Sequence, residues 1–248
     1  IIFYFCPLAI IKVRKHNCND IHPNKNSIIV TPSQWLCDLS ASSSLFRKYR
    51  HFTIENPFDT EAFQMIDAVK AKQELGLDPN KKTIFINAHH IDNPRKGLNY
   101  LLDAFKMLDA DKFQLMVAGN TLNRADLPEV KSLGYLMDVR SMSVAYSAAD
   151  VFVLPSLAEN FPNTICESLL CGTPVVAFHT GGIPELINDS NGELVELKNA
   201  PKLAEAIQRV TEKKFDKSAI RNVAVNRLDK LRIAQRYIEL YRQLIQPK

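Results

Sequence analysis

From about residue 83 onward, short apolar runs alternate with segments whose apolar residues recur at three- and four-residue steps. A strand buried on both faces of a parallel sheet reads as a continuous apolar run, and a crossover segment, usually a helix, must separate it from the next. The alternation therefore predicts an α/β fold, a doubly wound parallel sheet of βαβ units. Its predicted strands are TIFINA (83–88), FQLMVAG (113–119), DVFVLPS (150–156) and PVVAF (174–178), with GELVEL (192–197) as a short edge strand. Predicted helices include GLNYLLDAFKML, with Leu98, Leu101, Leu102, Phe105 and Leu108 at helical spacing, and VRSMSVAYSAA. Two more fall at 163–171 and 200–212.

The two ends are organised differently. SIIVTPSQWLCDLSASSSLF reads as strand, turn and helix, with Pro32 and Ser33 as start signals, and HFTIENPFDTEAF as a short strand broken at Asn56 and Pro57. Toward the other end, Leu228, Leu231, Ala234, Ile238, Tyr241 and Ile245 mark one or two amphipathic helices with basic residues on the opposite face. The expected division is 1–54, a remnant of a preceding domain with its linker; 55–226, a ligand-binding domain; and 227–248, a C-terminal helix.

With 31 basic against 27 acidic residues, the charge is too balanced for a nucleic-acid partner, though it suits an anionic small molecule or weak contact with a membrane surface. The five cysteines are odd in number and lack metal-ligand spacing, which points to free thiols and a cytoplasmic setting. The opening IIFYFCPLAII is too short to span a bilayer and lacks the features of a signal peptide; without an initiator Met it reads as an interior segment of something longer.

Ligands of open parallel sheets collect at the carboxyl ends of the strands, where helix N-termini point. DVFVLPS ends there, and LAENFP leads into a helix. With Asn163 as its N-cap, Glu167 falls about one turn in and Glu159 stays in the loop, so both carboxylates border one cavity beside unpaired helix N–H groups suited to phosphate. Carboxylates accept hydrogen bonds from vicinal diols. Hydroxyls and phosphates occur together in a nucleotide sugar.

PSLAENFPNTICESLLCGTPVVAFHTGGIPELI resembles the signature of the retaining glycosyltransferases of family 4, with their Rossmann-like GT-B fold: two glutamates flank seven residues, and CGTPVV and GGIPE follow. VTPSQWL, NPFDTEAF, RKGLNYLLDAF, VAG, SLGYL, AYSAADVFVLPS and NGELV fit in order, over roughly residues 28 to 197. In detail the match is nearest to bacterial enzymes of polysaccharide and surface-glycan assembly. The resemblance implies that Glu159 contacts the donor sugar and Glu167 the ribose, and that the backbone around Asn160, Phe161, Pro162, Asn163 and Thr164 meets sugar and pyrophosphate. Lys96 would neutralise the diphosphate, and Tyr135 and Leu136 lie in the stretch that meets the base. Catalysis would rest on Glu159 and Lys96 with no cofactor and no metal, the acceptor being a glycan or a lipid-linked sugar, at a peripheral position on the inner membrane surface.

Two departures qualify the match. The family's Gly-Arg pair is replaced by His89 and His90, leaving Arg95 as the substitute cation, and no catalytic role is assigned to the histidines. The N-terminal acceptor domain of a GT-B enzyme is nearly absent, so the chain reads as the donor-binding half, inactive in transfer alone. Two other readings stay open: a GT-B relative such as a nucleotide-sugar epimerase or a phosphorylase, and a non-catalytic nucleotide-sugar-binding module. Residue by residue, the plain alternatives are solvated turn charges at Arg95 and Lys96, ordinary surface acids at Glu159 and Glu167, and a glycine pair, Gly181 and Gly182, that permits a turn and a close helix approach.

Overall fold

The structure, a computed structural model, describes residues 27–119 and 130–245. The apolar opening, Cys6 and Cys18 lie outside the described residues. In chain order, β1 (Ile28–Thr31), α1 (Gln34–Ser42) and β2 (Arg50–Thr53) form a first unit, and α2 (Ala68–Glu74) follows. Then come β3 (Lys82–Asn87), α3 (Leu98–Phe105), β4 (Phe113–Ala118), β5 (Val130–Ser132), α4 (Val139–Ala148), β6 (Val151–Leu154) and α5 (Asn163–Leu170). The rest is β7 (Val175–Phe178), β8 (Gly192–Val195), α6 (Ala200–Glu212), α7 (Lys217–Leu228) and α8 (Lys230–Ile245).

Six strands make one parallel sheet in the order β5-β4-β3-β6-β7-β8. This is the doubly wound α/β arrangement that the alternation predicts. Its central strands are dry: Val151, Phe152, Val153 and Leu154 are all buried. Alternation along each strand divides the core in two. Ile84, Ile86, Val153 and Val176 face α3 and α6, while Phe85, Phe152, Val175 and Ala177 face α4, α5 and α7. GELVEL is an edge strand as expected, although pairing stops at Val195. The other edge, β5, is not predicted by the periodicity. It is three residues long, Val-Lys-Ser, and carries no apolar run to detect.

The first unit is a two-stranded parallel sheet, with Ile28 opposite Arg50 and Thr31 opposite Thr53, crossed by α1. Ser33 caps α1, its hydroxyl accepting from Leu36 N at 3.2 Å. The C-terminal pattern resolves into two helices because Asp229 ends α7 and caps α8, accepting from Leu231 N at 3.0 Å and Arg232 N at 3.2 Å.

The apolar seam expected to bury α8 is corrected here. Ile233 and Leu240, with Tyr237 and Leu244, pack on Ile28, Ile54, Val30 and Phe52. Leu231, Ile238 and Ile245 of the expected seam are exposed. Two apolar stripes lie about a quarter-turn apart on this helix at 100° per residue, and periodicity does not say which one finds a partner.

Candidate functional site

The sheet order reverses between β3 and β6: the chain leaves β3 for a helix on one face and β6 for a helix on the other. The crevice outside this switch point is where doubly wound folds bind ligands. Two loops meet there, residues 88–97 after β3 and 155–162 after β6.

In the first loop, Asn93 Oδ1 accepts from Arg95 N at 3.0 Å, starting a short 3₁₀ turn over Pro94–Lys96 that ends at Gly97 with φ 72°. A Cβ at Gly97 would stand 1.8 Å from the Pro155 carbonyl oxygen, so only glycine allows the loops to close on each other. Leu157 N donates to the Arg95 carbonyl at 2.8 Å across the same seam. This packing delivers the Lys96 side chain to the second loop, where its Nζ lies 2.6 Å from Glu159 Oε1. Arg95 contributes main-chain contacts.

The loop holding Glu159 is propped from its other side. Gly182 N donates to the Glu159 carbonyl at 3.2 Å, and a Cβ at Gly181, where φ is 57°, would fall 1.8 Å from that oxygen. The close helix approach expected of this glycine pair is instead an approach to loop backbone, that of Glu159 and Asn160. The side chain of Asn160 accepts from the Ser33 hydroxyl at 2.5 Å. From the 3₁₀ turn that follows the glycines, Glu185 receives Gln34 N at 2.8 Å and Trp35 N at 2.7 Å, so one carboxylate holds the start of α1. The Glu185 carbonyl accepts from Arg227 at 2.6 Å.

Asn163 is not the N-cap of α5. Pro162 takes that position with φ −70°, Asn163 is the first helical residue, and Glu167 moves from the fourth helical position to the fifth. The Asn163 side-chain oxygen instead accepts from Asn56 Nδ2 at 3.0 Å. No side chain caps the start of α5, and its first N–H groups lie beside the buried Phe161 and Pro162 and the half-buried Thr164. Such a terminus favours an anion.

Glu167 belongs to a second network. Its Oε2 accepts from the Tyr146 hydroxyl at 2.7 Å, and the hydroxyl oxygen of Tyr146 in turn accepts from Asn87 Nδ2 at 3.4 Å. Burial raises the Glu167 pKa from its ordinary value, while the Tyr146 hydroxyl pulls it down. At the end of β4, Gly119 N donates to the Gly134 carbonyl at 2.8 Å and anchors the stretch with Tyr135 and Leu136. The exposed Tyr135 ring meets His89 edge-on at 4.9 Å, whereas Leu136 packs against the core.

Structure thus joins Lys96 to Glu159 directly and sets Tyr135, the start of α5 and Glu167 on loops and helices at the same carboxyl edge. Sequence reasoning missed Tyr146, Asn87 and Glu185, and took Ser33 only as a helix start, without its bond to Asn160. A tyrosine amid the alanines and serines of α4 was the available signal for Tyr146; the others are contacts between segments distant in sequence. Among the described residues, no group of three or more His, Cys, Asp or Glu side chains is placed to hold a metal ion, and no helix is long and apolar enough to cross a membrane.

Comparison with known proteins gives a consistent picture. The family described as "Glycosyl transferases group 1" matches residues 81–213, more than half of the 248-residue chain. The putative colanic acid biosynthesis glycosyl transferase WcaC of Escherichia coli (strain K12) is 28% identical over 204 residues, 75% of this chain and 46% of that protein. An N,N'-diacetylbacillosaminyl-diphospho-undecaprenol alpha-1,3-N-acetylgalactosaminyltransferase of Campylobacter jejuni is 32% identical over 165 residues, 60% of this chain and 42% of that protein. The crystal structure of HepE from Anabaena in complex with UDP and glucose superposes with a TM-score of 0.71 at 23% identity, over 87% of this chain and 62% of that one. The chain spans about half the length of the curated relatives it matches.

Proposed function

The chain belongs to the group 1 glycosyl transferases, and from that premise we propose that it carries the donor-binding half of a retaining transferase of family 4. Its ligand is a nucleotide-diphosphate sugar, and residues 55–226 form the donor domain. The observation that carries this reading is the Lys96–Glu159 pair, which spans the switch point at 2.6 Å beside the uncapped start of α5. A cation and helix amides suit the diphosphate, and carboxylates suit sugar and ribose hydroxyls.

In the proposed reaction the bond between the sugar's anomeric carbon and the diphosphate oxygen breaks, and its electron pair stays on the diphosphate. The acceptor hydroxyl bonds to the same face of that carbon, its proton passing to the departing phosphate oxygen. The protein's part is to orient the donor and stabilise growing negative charge, through Lys96 and the first amides of α5, with Glu159 on the sugar, Glu167 on the ribose and Tyr135 and Leu136 near the base. No cofactor or metal is assigned. The acceptor is proposed to be a glycan or a lipid-linked acceptor of surface-polysaccharide synthesis, met at the inner membrane surface, a reading supported by the names of the two relatives, one of colanic acid biosynthesis and one of a diphospho-undecaprenol compound.

Calorimetry of the folded chain with UDP, GDP, ADP and their glucose or mannose conjugates, in chelator, tests this. Saturable binding of at least one, at micromolar to millimolar affinity, is expected. Absence of heat with all of them overturns the reading.

A further inference from the structure

Among the described residues, Glu167 has a hydrogen-bond donor on Oε2 and none on Oε1. That donor, Tyr146, is fully buried, and its ring packs edge-on against both Phe85, with centroids 5.2 Å apart and planes at 74°, and Phe152, at 5.3 Å and 69°. Phenylalanine would fill nearly the same space without a polar atom to satisfy, so packing alone does not account for the hydroxyl. Asn87, the last residue of β3, donates to the same oxygen, which directs the hydroxyl proton away from β3 toward the carboxylate. A carboxylate receives a diol well when its free oxygen is held at one angle, and a glutamate side chain on a helix has three rotatable bonds to fix.

We infer that Tyr146 is a positioning residue for the nucleotide, its hydroxyl fixing Oε2 of Glu167 so that Oε1 is presented to the ribose. The inference rests on the assignment of Glu167 to the ribose. Among the described residues, the titratable groups that interact with this carboxylate are Tyr146 from α4, Cys166 from α5 itself and Cys171 at its end. Burial pushes both thiols up, Cys171 to about 12, so neither changes charge near neutral pH. The Tyr146 bond favours the ionised form of Glu167 against the burial that opposes it. Removing the hydroxyl therefore raises the carboxyl pKa further, and the charged acceptor is lost at a higher pH.

The test is UDP affinity by calorimetry over about pH 5 to 8, for the wild-type chain, Tyr146→Phe, Glu167→Gln and the double variant, each checked by thermal melting. Tyr146→Phe is expected to weaken UDP about three- to tenfold, from one lost hydrogen bond, and to move the acid loss of affinity to higher pH. In the Glu167→Gln background the same change has little further effect and no pH shift. UDP titrates identically in every arm, so only differences between proteins are read. If Tyr146→Phe does not fold, protein made with 3-fluorotyrosine, a stronger hydroxyl donor, is expected to shift the acid loss to lower pH. Wild-type affinity with an unchanged pH profile, or equal weakening with and without Glu167, overturns the positioning role and leaves donor binding standing. No binding by the wild-type chain overturns the donor reading itself.

Discussion

Lys96 and Glu159 neutralise each other across the switch point, Nζ 2.6 Å from Oε1, with side chains only 25% and 13% exposed. The residue proposed for the phosphate and the residue proposed for the sugar are thus already partners. A diphosphate must compete with Glu159 for the ammonium group. Glu159→Gln is therefore expected to tighten free UDP by about two- to fivefold, the equivalent of one partly exposed ion pair. It should also lower the affinity ratio of UDP-glucose to UDP, because the sugar loses its carboxylate. Calorimetry with both ligands checks this; a loss of affinity for UDP would contradict it.

Lys96→Ala removes the cation and leaves Glu159 beside the phosphates. UDP binding should weaken by about 10- to 100-fold, from a charge-assisted hydrogen bond of roughly 1.5–3 kcal/mol. Arg95→Ala should do less, since Arg95 acts here through its backbone. The reverse ranking would make Arg95 the phosphate ligand.

Glu167→Gln separates function from stability. The folded-state pKa of Glu167 is raised by burial, so the native protein binds this proton more tightly than the unfolded chain, and stability is gained as pH falls through the folded value toward the unfolded one. At neutral pH the protein carries the charge at a cost. The amide should raise the melting temperature by a few degrees at pH 7, with the difference shrinking in acid, while weakening UDP and UDP-glucose alike. A fall in melting temperature at pH 7 would show that the Tyr146 bond outweighs burial.

Gly97→Ala should disrupt both fold and site. Its φ of 72° disfavours a side chain, and the new Cβ would lie 1.8 Å from the Pro155 carbonyl oxygen. The loops must part, at a cost of about 2–4 kcal/mol for backbone strain and overpacking together. Denaturant titration should show the lower midpoint, and UDP titration a loss, because Lys96 moves with the loop.

The fold was legible because its central strands carry an apolar signal on both faces: Ile84 to Ile86 and Val151 to Leu154 could belong to little but a buried parallel sheet. β5 was illegible for the opposite reason, its Val-Lys-Ser being held by pairing to β4 rather than by composition. The two glutamates stood out by type and spacing. Tyr146 did not, reaching Glu167 across the fold from 21 residues away, and Lys96 stood out for the diphosphate but not as the partner of Glu159, 63 residues on. The displaced cap at Asn163 is a local failure: asparagine is a good cap, but Pro162 supplied the extended residue and Asn56 took the side chain. On α8, two stripes competed, and the choice lay in Ile28 and Ile54, far away in the sequence.

Glu185 grips the start of α1 through Gln34 N and Trp35 N, only a few residues beyond the glycines that press on Glu159. The small unit is thus tethered to the large one at the site as well as through the chain at residues 54–57. It cannot swing freely on that covalent tether: any rotation must first pull two amides off one carboxylate and the Ser33 hydroxyl off Asn160. The latch at Glu185 and the glycines that press on Glu159 share one short piece of backbone, so the hold on α1 and the shape of the loop proposed to meet the sugar are set by the same few residues.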